Sequence, residues 1–166
     1  QLYYTTQIGM PKVVALKEQL LQINPKAEVR VKGRWAPGTP LNGYIFMCVD
    51  SIAIRQQILE QSMYAKSVKG IFDFRMRLTD AQHYAGVPGN KVEMENFKAS
   101  MDFTQEEAIA ATPVSACGTS MAVLPTIRVI TAVGVANFMN LVKTGELKTM
   151  ILIDAFSFDI QAFSKR

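Results

Sequence analysis

The sequence predicts an α/β fold: a Rossmann-like, largely parallel sheet flanked by helices. Predicted helices and strands alternate along most of the chain, which is typical of parallel sheets built from βαβ units. The run over residues 44–49 (YIFMCV) is continuously apolar, as expected of a strand covered on both faces. With 166 residues, 49% of them hydrophobic and 19% charged, the chain has the size and composition of one globular domain over residues 1–166.

The first half of the chain predicts a helix, two strands and a second helix. Residues 10–23 (MPKVVALKEQLLQI) place apolar side chains at helical spacing, and an Asn-Pro pair beyond them ends the helix. Residues 27–32 (AEVRVK) alternate as a short strand. A loop rich in glycine and proline, residues 33–43, leads to the apolar strand. Ser51 is expected to cap a helix that runs to about Lys66.

The second half is less regular at first. Residues 70–75 (GIFDFR) predict a strand, whereas residues 78–105 show no clear period and are expected to be mostly loop. The later predicted elements are a short helix over 104–111, a longer helix over 125–143, a strand over 150–153 and a last strand over 156–163. The stretch 121–142 is apolar enough to raise the question of a membrane. Because polar residues interrupt it, we predict a buried helix of a soluble protein.

Composition and charge argue against several classes of protein. The net charge of +4 comes from lysines and arginines spread along the chain, without the basic patch of a nucleic-acid-binding protein. Cys48 and Cys117 lie far apart and His83 is the single histidine, so a zinc site is not expected. The first residues have no signal-peptide pattern, and two reduced thiols fit a cytoplasmic protein. We expect Cys48 to be buried within its strand.

A single acid, Asp50, ends the apolar strand. Sheets of this class place their chemistry at the carboxyl ends of the strands. Asp50 could therefore hold a metal, orient a polar ligand, or merely cap the next helix through its side chain. At the end of the following predicted strand, Asp73 and Arg75 are expected to form a structural ion pair.

Four stretches, in this order and spacing, resemble the ThiF/MoeB-type adenylyltransferases, a family similar to ubiquitin-activating enzymes. The stretches are IGMPKVVALKEQLLQINPKAEV (8–29), CVDSIAIR (48–55), LPTIRVITAVGVANFMNLVKTGE (124–146) and MILIDAF (150–156). The first is similar to the helix after the family's nucleotide loop, and the second to a strand that ends in D-x-x-x-x-R. Together they cover much of the chain.

The resemblance implies ATP- and Mg²⁺-dependent adenylation of the C-terminal carboxylate of a ubiquitin-like protein or peptide. Lys12 matches a lysine that contacts the ATP phosphates; a helix N-terminus favours that role, and a solvated surface lysine is the alternative. Asp50 matches the acid that helps hold Mg²⁺. Arg55 matches an arginine one turn into the next helix, which could contact the ligand, pair with Asp50 or stabilise the crevice wall. Gln1 matches a glutamine near the nucleotide.

The chain departs from the family pattern because it contains no G-x-G-x-x-G nucleotide loop. In the family that loop belongs to an upstream βαβ unit. We therefore expect this chain to be the C-terminal part of a longer protein, missing its first βαβ unit and inactive by itself. Cys117, in SACGTS, matches a stretch where thiol-using relatives carry a nucleophilic cysteine; a buried or incidental cysteine is the alternative.

Two other functions stay open at this point. A non-catalytic ThiF-like scaffold would bind a ubiquitin-like or peptide partner, or pair with a chain that carries the missing half. A NAD-binding oxidoreductase domain has the same fold class; tight NAD(H) binding without ATP binding would favour it. The family also implies a homodimer, for which the apolar helix over 125–143 is available, and no nucleic-acid or membrane partner.

Overall fold

The structure, a computed structural model, describes residues 3–114 and 124–164. The chain divides into two compact units, Gln1–Thr39 and Pro40–Arg166, and each is described by itself. The first unit contains a short 3₁₀ turn (Thr5–Gln7) followed by helix α1 (Lys12–Ile23). The prediction of a single domain over the whole chain stays a prediction.

In the first unit, side-chain hydrogen bonds of Gln7 connect the 3₁₀ turn to α1. Its side chain is almost fully buried; Nε2 donates to the Ala15 carbonyl (3.3 Å) and Oε1 accepts from the Gln19 amide (2.9 Å). The predicted first helix is confirmed, and Lys12 begins it. The short strand predicted over 27–32 is wrong, because these residues form no sheet pairing. An alternating pattern becomes a strand only where a neighbouring strand takes up its backbone hydrogen bonds.

The second unit is a sheet with helices packed on both faces. The strands are β1 (Gly43–Met47), β2 (Val68–Arg77), β3 (Asp80–Gly86), β4 (Met150–Asp154) and β5 (Asp159–Phe163). The helices are α2 (Ile52–Ser62), α3 (Lys91–Ala99), α4 (Gln105–Ala110) and α5 (Leu124–Thr144). The strands lie in the order β1-β2-β3-β4-β5. The predicted α/β class with flanking helices is confirmed.

The sheet is mixed, so the prediction of a largely parallel sheet is not confirmed. β1 and β2 are parallel and are joined by α2, which makes a βαβ unit, whereas the other pairings in the described residues are antiparallel. Only Leu78 and Thr79 separate β2 from β3, and a two-residue connection reverses the chain. At the β4–β5 turn, Oδ1 of Asp154 accepts the backbone N–H groups of Phe156 (2.9 Å) and Ser157 (3.2 Å).

The region predicted as mostly loop, 78–105, contains β3 and α3, and this is where the prediction is wrong. The inward residues of β3 are small or polar (Ala81, His83 and Ala85), so the strand lacks a hydrophobic signal. The sequence does contain a helix-start signal for α3. Asn90 is a favoured N-cap residue, and its side chain accepts the N–H of Glu93 (3.3 Å). β3 follows β2 directly and pairs antiparallel with both β2 and β4. The chain therefore forms a hairpin after β2, where a parallel sheet would need a crossover connection.

Side chains on β2 alternate between two covered faces. Phe72 and Phe74 face α5, and the Phe72 ring packs edge-to-face on Phe138 with centroids 5.5 Å apart. Asp73, between them, faces the opposite side, where α2 supplies Arg55. The crossover helix and the last long helix therefore cover opposite faces of the same strand.

Helix α5 packs on the sheet through one face. Its buried residues recur every three or four positions: Thr126, Ile130, Gly134 and Asn137. Ile130 joins Ala81, Ile151 and Ile153 in an apolar cluster between α5 and strands β3 and β4. Each fully buried isoleucine contributes about 1.5–3 kcal/mol of transfer free energy. Within the described residues α5 is also the one helix long and apolar enough, by length and composition alone, to cross a bilayer.

Gly134 allows α5 to lie directly against the aromatic side of the sheet. A Cβ placed on Gly134 would come within 2.2 Å of Cε1 of Phe74. No side-chain contact of that length is tolerated, so a larger residue at position 134 must displace the ring or the helix.

We predict that Gly134→Ala destabilises the fold by about 1–3 kcal/mol through overpacking against Phe74. Helix propensity alone predicts the opposite sign, since alanine in a helix interior is about 1 kcal/mol more favourable than glycine. Urea unfolding measures the difference. Combining the change with Phe74→Leu should cost less than the sum of the two single variants, because the smaller side chain relieves the contact. Strict additivity, or a stabilised Gly134→Ala protein, would contradict the packing described.

Candidate functional site: a cleft at the carboxyl end of β1 and β2

Arg55 of α2 joins the segments that form the end of the βαβ unit. Its guanidinium donates to the carboxylate of Asp73 on β2, to the Phe74 carbonyl (3.1 Å) and, through Nε, to the Val49 carbonyl just beyond β1 (2.7 Å). Arg55 is 8% exposed and Asp73 is fully buried. The ion pair of Arg55 is therefore with Asp73 and not with Asp50, and it stabilises the wall of the crevice.

A second arginine, Arg75, completes the pairing of Asp73. Its Nε donates to the second carboxylate oxygen of Asp73 (2.5 Å), and its Nη1 donates to the Ser100 carbonyl after α3 (2.6 Å). The guanidinium carbon also lies 4.4 Å from the ring centroid of Tyr84, a cation–π contact. The predicted Asp73–Arg75 pair is confirmed. With one carboxylate between two guanidinium groups, this corner of the sheet has a net positive charge.

On the α5 side of the sheet, His83 is fully buried and held as the neutral imidazole. Its Nε2 lies 3.2 Å from the amide nitrogen of Asn137, which is a donor, so Nε2 accepts and Nδ1–H donates to the Asp73 carbonyl (2.9 Å). Asn137 is itself fixed by accepting the Lys148 N–H (2.9 Å). Burial lowers the pKa of His83, and the Asp73 carbonyl opposes that shift. The sequence alone contains no signal that His83 contacts Asn137, because β3 and α5 are far apart in the chain.

An open cleft of about 1090 Å³ lies at the end of the sheet where β1 and β2 finish. Strands β2 to β5 line it on one side, and the start of α2 and helix α4 line it on the other. The two helices are connected, since the Gln105 side chain of α4 accepts the N–H of Ile52, the first residue of α2 (2.9 Å). Apolar residues such as Ile52, Phe103 and Leu152 contribute to the lining.

Asp50 lines this cleft from the start of α2 and is exposed. Ser51, not Asp50, caps α2 by accepting the N–H of Ile54 (3.3 Å), so the predicted cap at Ser51 is confirmed. Among the described residues Asp50 makes no ion pair and no side-chain hydrogen bond. A carboxylate in this position is available to a ligand.

The opposite end of the cleft carries a row of charged residues across the sheet. Arg77, Asp80, Asp154 and Asp159 are register partners in turn on strands β2 to β5. Arg77 and Asp80 form a weak, exposed pair (3.9 Å). The remaining two aspartates lie side by side, and all four residues line the cleft.

The structure brings together only part of the predicted site. Asp50 and Arg55 lie at one cleft in the second unit. Lys12 is exposed at the start of α1 in the first unit, beside a small hollow of about 290 Å³. Its approach to Asp50 stays a prediction. Gln1 and Cys117 lie outside the described residues, so their predicted roles stay predictions as well.

Cys48 follows β1 and is exposed, so the expectation that it is buried is wrong. β1 lies at the edge of the sheet, and Tyr44 and Phe46, which precede Cys48 at every second position, are also partly exposed. A continuous apolar run predicts a strand covered on both faces. Here that run forms an edge strand, and α5 covers it only in part, through Phe138.

Across the part of the chain that the structure describes, no group of three or more His, Cys, Asp or Glu side chains could hold a metal ion. Magnesium in nucleotide sites is typically bound by one or two carboxylates, with phosphate oxygens and water completing the coordination. Asp50 as a single exposed carboxylate fits that kind of site.

No family model matches the sequence, and no curated protein matches it. The cleft therefore combines a βαβ unit, the exposed carboxylate of Asp50 between its first strand and its helix, and the guanidinium of Arg55 bound to Asp73 and to the backbone beyond β1.

Replacing Arg55 with methionine should destabilise the protein by about 3–5 kcal/mol, because Asp73 would stay buried with one of its two arginines lost. The matched control is Lys98→Met, which breaks an exposed pair with Glu60 (2.7 Å) and should have little effect. Denaturant unfolding of both variants measures this. Equal losses in the two proteins would show that Arg55 does not hold the fold together.

The neutral state of His83 predicts a dependence of stability on pH. Its pKa is lowered from 6.5 in the folded protein, so below pH 6.5 the unfolded chain binds a proton that the folded chain does not. Stability should fall as the pH drops through that value, by up to about 1.4 kcal/mol per pH unit from this residue. Unfolding of His83→Gln, measured in parallel, should show a smaller loss of stability over the same range. Identical pH profiles would contradict the assignment.

Proposed function

We propose that this chain is part of a ThiF-type adenylyltransferase with a Rossmann-like nucleotide-binding fold. It activates the C-terminal carboxylate of a ubiquitin-like protein or peptide with ATP. The observation that carries the proposal is Asp50: an exposed carboxylate without a protein partner among the described residues, at the tip of a strand that begins a βαβ unit. Ligands of α/β sheets bind at this edge.

The chemistry of the cleft supports the proposal. Adenylation joins a carboxylate oxygen to the α-phosphorus of ATP while pyrophosphate leaves, and it crowds negative charges together. Mg²⁺ bound with the nucleotide neutralises part of that charge. Asp50 supplies a hard oxygen ligand at the strand end.

Arg55 has a positioning role in this proposal. Its guanidinium is already bound to the Val49 and Phe74 carbonyls and to Asp73. It therefore holds the backbone on both sides of the cleft and so fixes where Asp50 lies. Lys12 is the expected phosphate contact, since the first turn of a helix favours anions.

The test is ATP-dependent pyrophosphate exchange by the full-length protein carrying Lys12→Ala or Asp50→Asn. Each change should lower the exchange rate at least about tenfold, because each removes a charge that offsets or binds the phosphates. The matched controls are Lys26→Ala and Asp102→Asn, which remove exposed charges of the same type elsewhere in their own units.

Unchanged exchange in both site variants would remove the site assignment. An inactive but folded wild-type protein that still binds its partner would favour the non-catalytic scaffold. Binding of NAD(H) in place of ATP would favour the oxidoreductase. A homodimer, the cytoplasmic location and a catalytic role for Cys117 are part of the same proposal.

A further inference from the structure

His83 is a buried titratable group that the proposed site does not use. Its ring is fully buried between β2, β3 and α5. The rings of Phe72 and Phe74 lie against it, with centroids 6.1 Å and 4.8 Å from that of the imidazole. The hydrogen bonds of the two ring nitrogens therefore decide which protonation state this space accepts.

The side-chain amide of Asn137 is held in one orientation by the backbone of Lys148. Its Oδ1 accepts the Lys148 N–H (2.9 Å), and its Nδ2 donates to the Lys148 carbonyl (2.8 Å). A backbone N–H can only donate and a carbonyl can only accept, so exchanging the two amide atoms would break both bonds. Asn137 therefore presents an N–H, and not an oxygen, to Nε2 of His83 (3.2 Å).

The other ring nitrogen of His83 is restricted in the same way. Nδ1 lies 2.9 Å from the Asp73 carbonyl, which can only accept, so Nδ1 carries the proton. The neutral form protonated at Nδ1 is thus the state that satisfies both contacts. A second proton on Nε2 would face the N–H of Asn137, donor against donor.

The strand beside His83 supplies no free negative charge to compensate a proton on its ring. The carboxylate of Asp73 faces the opposite side of β2, where Arg55 and Arg75 share it. What Asp73 presents to His83 is its backbone carbonyl.

The other elements packed on His83 contribute no charge in the part of the chain that the structure describes. On β4 the register partner of His83 is Ile151, and Lys148, before that strand, is an exposed residue. On α5 the contact is the uncharged Asn137. Burial therefore lowers the pKa of His83, and the Asp73 carbonyl and the more distant Asp73 charge oppose that shift.

The segment that depends on Asn137 is the connection between α5 and β4. Helix α5 ends at Thr144 and β4 begins at Met150, with Lys148 between them. Both backbone polar groups of Lys148 bond to Asn137. This connection lies at the opposite end of β4 from Asp154, which lines the cleft.

We propose that His83, Asn137 and Lys148 form a pH-sensitive latch, in which protonation of His83 releases the α5–β4 connection while the rest of the sheet stays folded. The imidazolium needs an acceptor at Nε2, and Asn137 supplies one only if its amide turns over. Turning over breaks both bonds to Lys148, whose backbone groups then bond to water. The latch does not depend on the proposed adenylation.

The experiment measures hydrogen exchange of the Lys148 amide by NMR on the full chain, corrected for the intrinsic exchange rate, from about pH 5.5 to 7.5. His83 is the single histidine, so no other side chain has its ordinary pKa in this range. Because the open form binds a proton that the closed form does not, its population should rise up to about tenfold per pH unit below 6.5. The Met63 amide, bonded to the Leu59 carbonyl at the end of α2, is the internal reference and should keep its protection.

Two substitutions separate the latch from a general loss of stability. His83→Gln cannot titrate, so exchange at Lys148 should no longer depend on pH after correction. Asn137→Asp places a carboxylate at Nε2, which favours the imidazolium and raises its pKa. The pH dependence should then reverse, and protection of Lys148 should increase as the pH falls toward 6.5.

The matched control is Asn140→Asp, which adds the same charge to α5 three residues further on. The Asn140 side chain donates to the Glu146 carbonyl (3.1 Å), so this variant should keep the pH profile of the wild type. Thermal unfolding checks that each variant is folded. The wild-type profile by itself decides the question if a variant is not.

Loss of protection at Lys148 and Met63 together would show global unfolding and would overturn the inference. So would identical pH profiles for the wild type and His83→Gln, or imidazole ¹⁵N chemical shifts that show the proton on Nε2 at neutral pH. A selective loss at Lys148 that is absent in His83→Gln and reversed in Asn137→Asp would support it.

Discussion

The buried pair between Arg55 and Asp73 is the contact on which the geometry of the second unit depends. Asp73 is fully buried, and Arg55 also donates to a carbonyl just beyond β1 and to one within β2. Buried charges are costly unless every donor and acceptor is used. This contact therefore fixes the start of α2 relative to both parallel strands. The cleft and the position of Asp50 follow from it.

The sequence predicted the parts of the fold that have local signals. The helix over 10–23, the apolar strand, the Ser51 cap and the long C-terminal helix all have such signals, and all are present. β3 was missed because its buried positions are alanine and histidine, and the direction of the sheet depends on that strand. Periodicity shows where a strand lies, not which strand pairs with it.

The same limit applies to the candidate site. Asp50 could be selected from the sequence, because it ends an apolar run just before a helix cap. The partner of Arg55 could not, since Asp73 lies 18 residues away and becomes its neighbour only when β1 and β2 pair. The row of charged residues across the sheet could not be predicted either: its three aspartates come from three strands, one of which was missed. Sites whose charges converge through pairing of distant strands leave no trace in spacing along the chain.

The edge strand β1 has a consequence for how the protein behaves at high concentration. Its sequence, GYIFM, contains no lysine, no glutamate and no proline, the residues that usually protect an open edge from other chains. Tyr44 and Phe46 are both more than one-third exposed on it. A strand of this kind is a template for backbone pairing with a second molecule. The colloidal stability of the chain therefore depends on whether that border of the sheet is covered, and a single charged side chain at position 44 would be the simplest protection against intermolecular sheet growth.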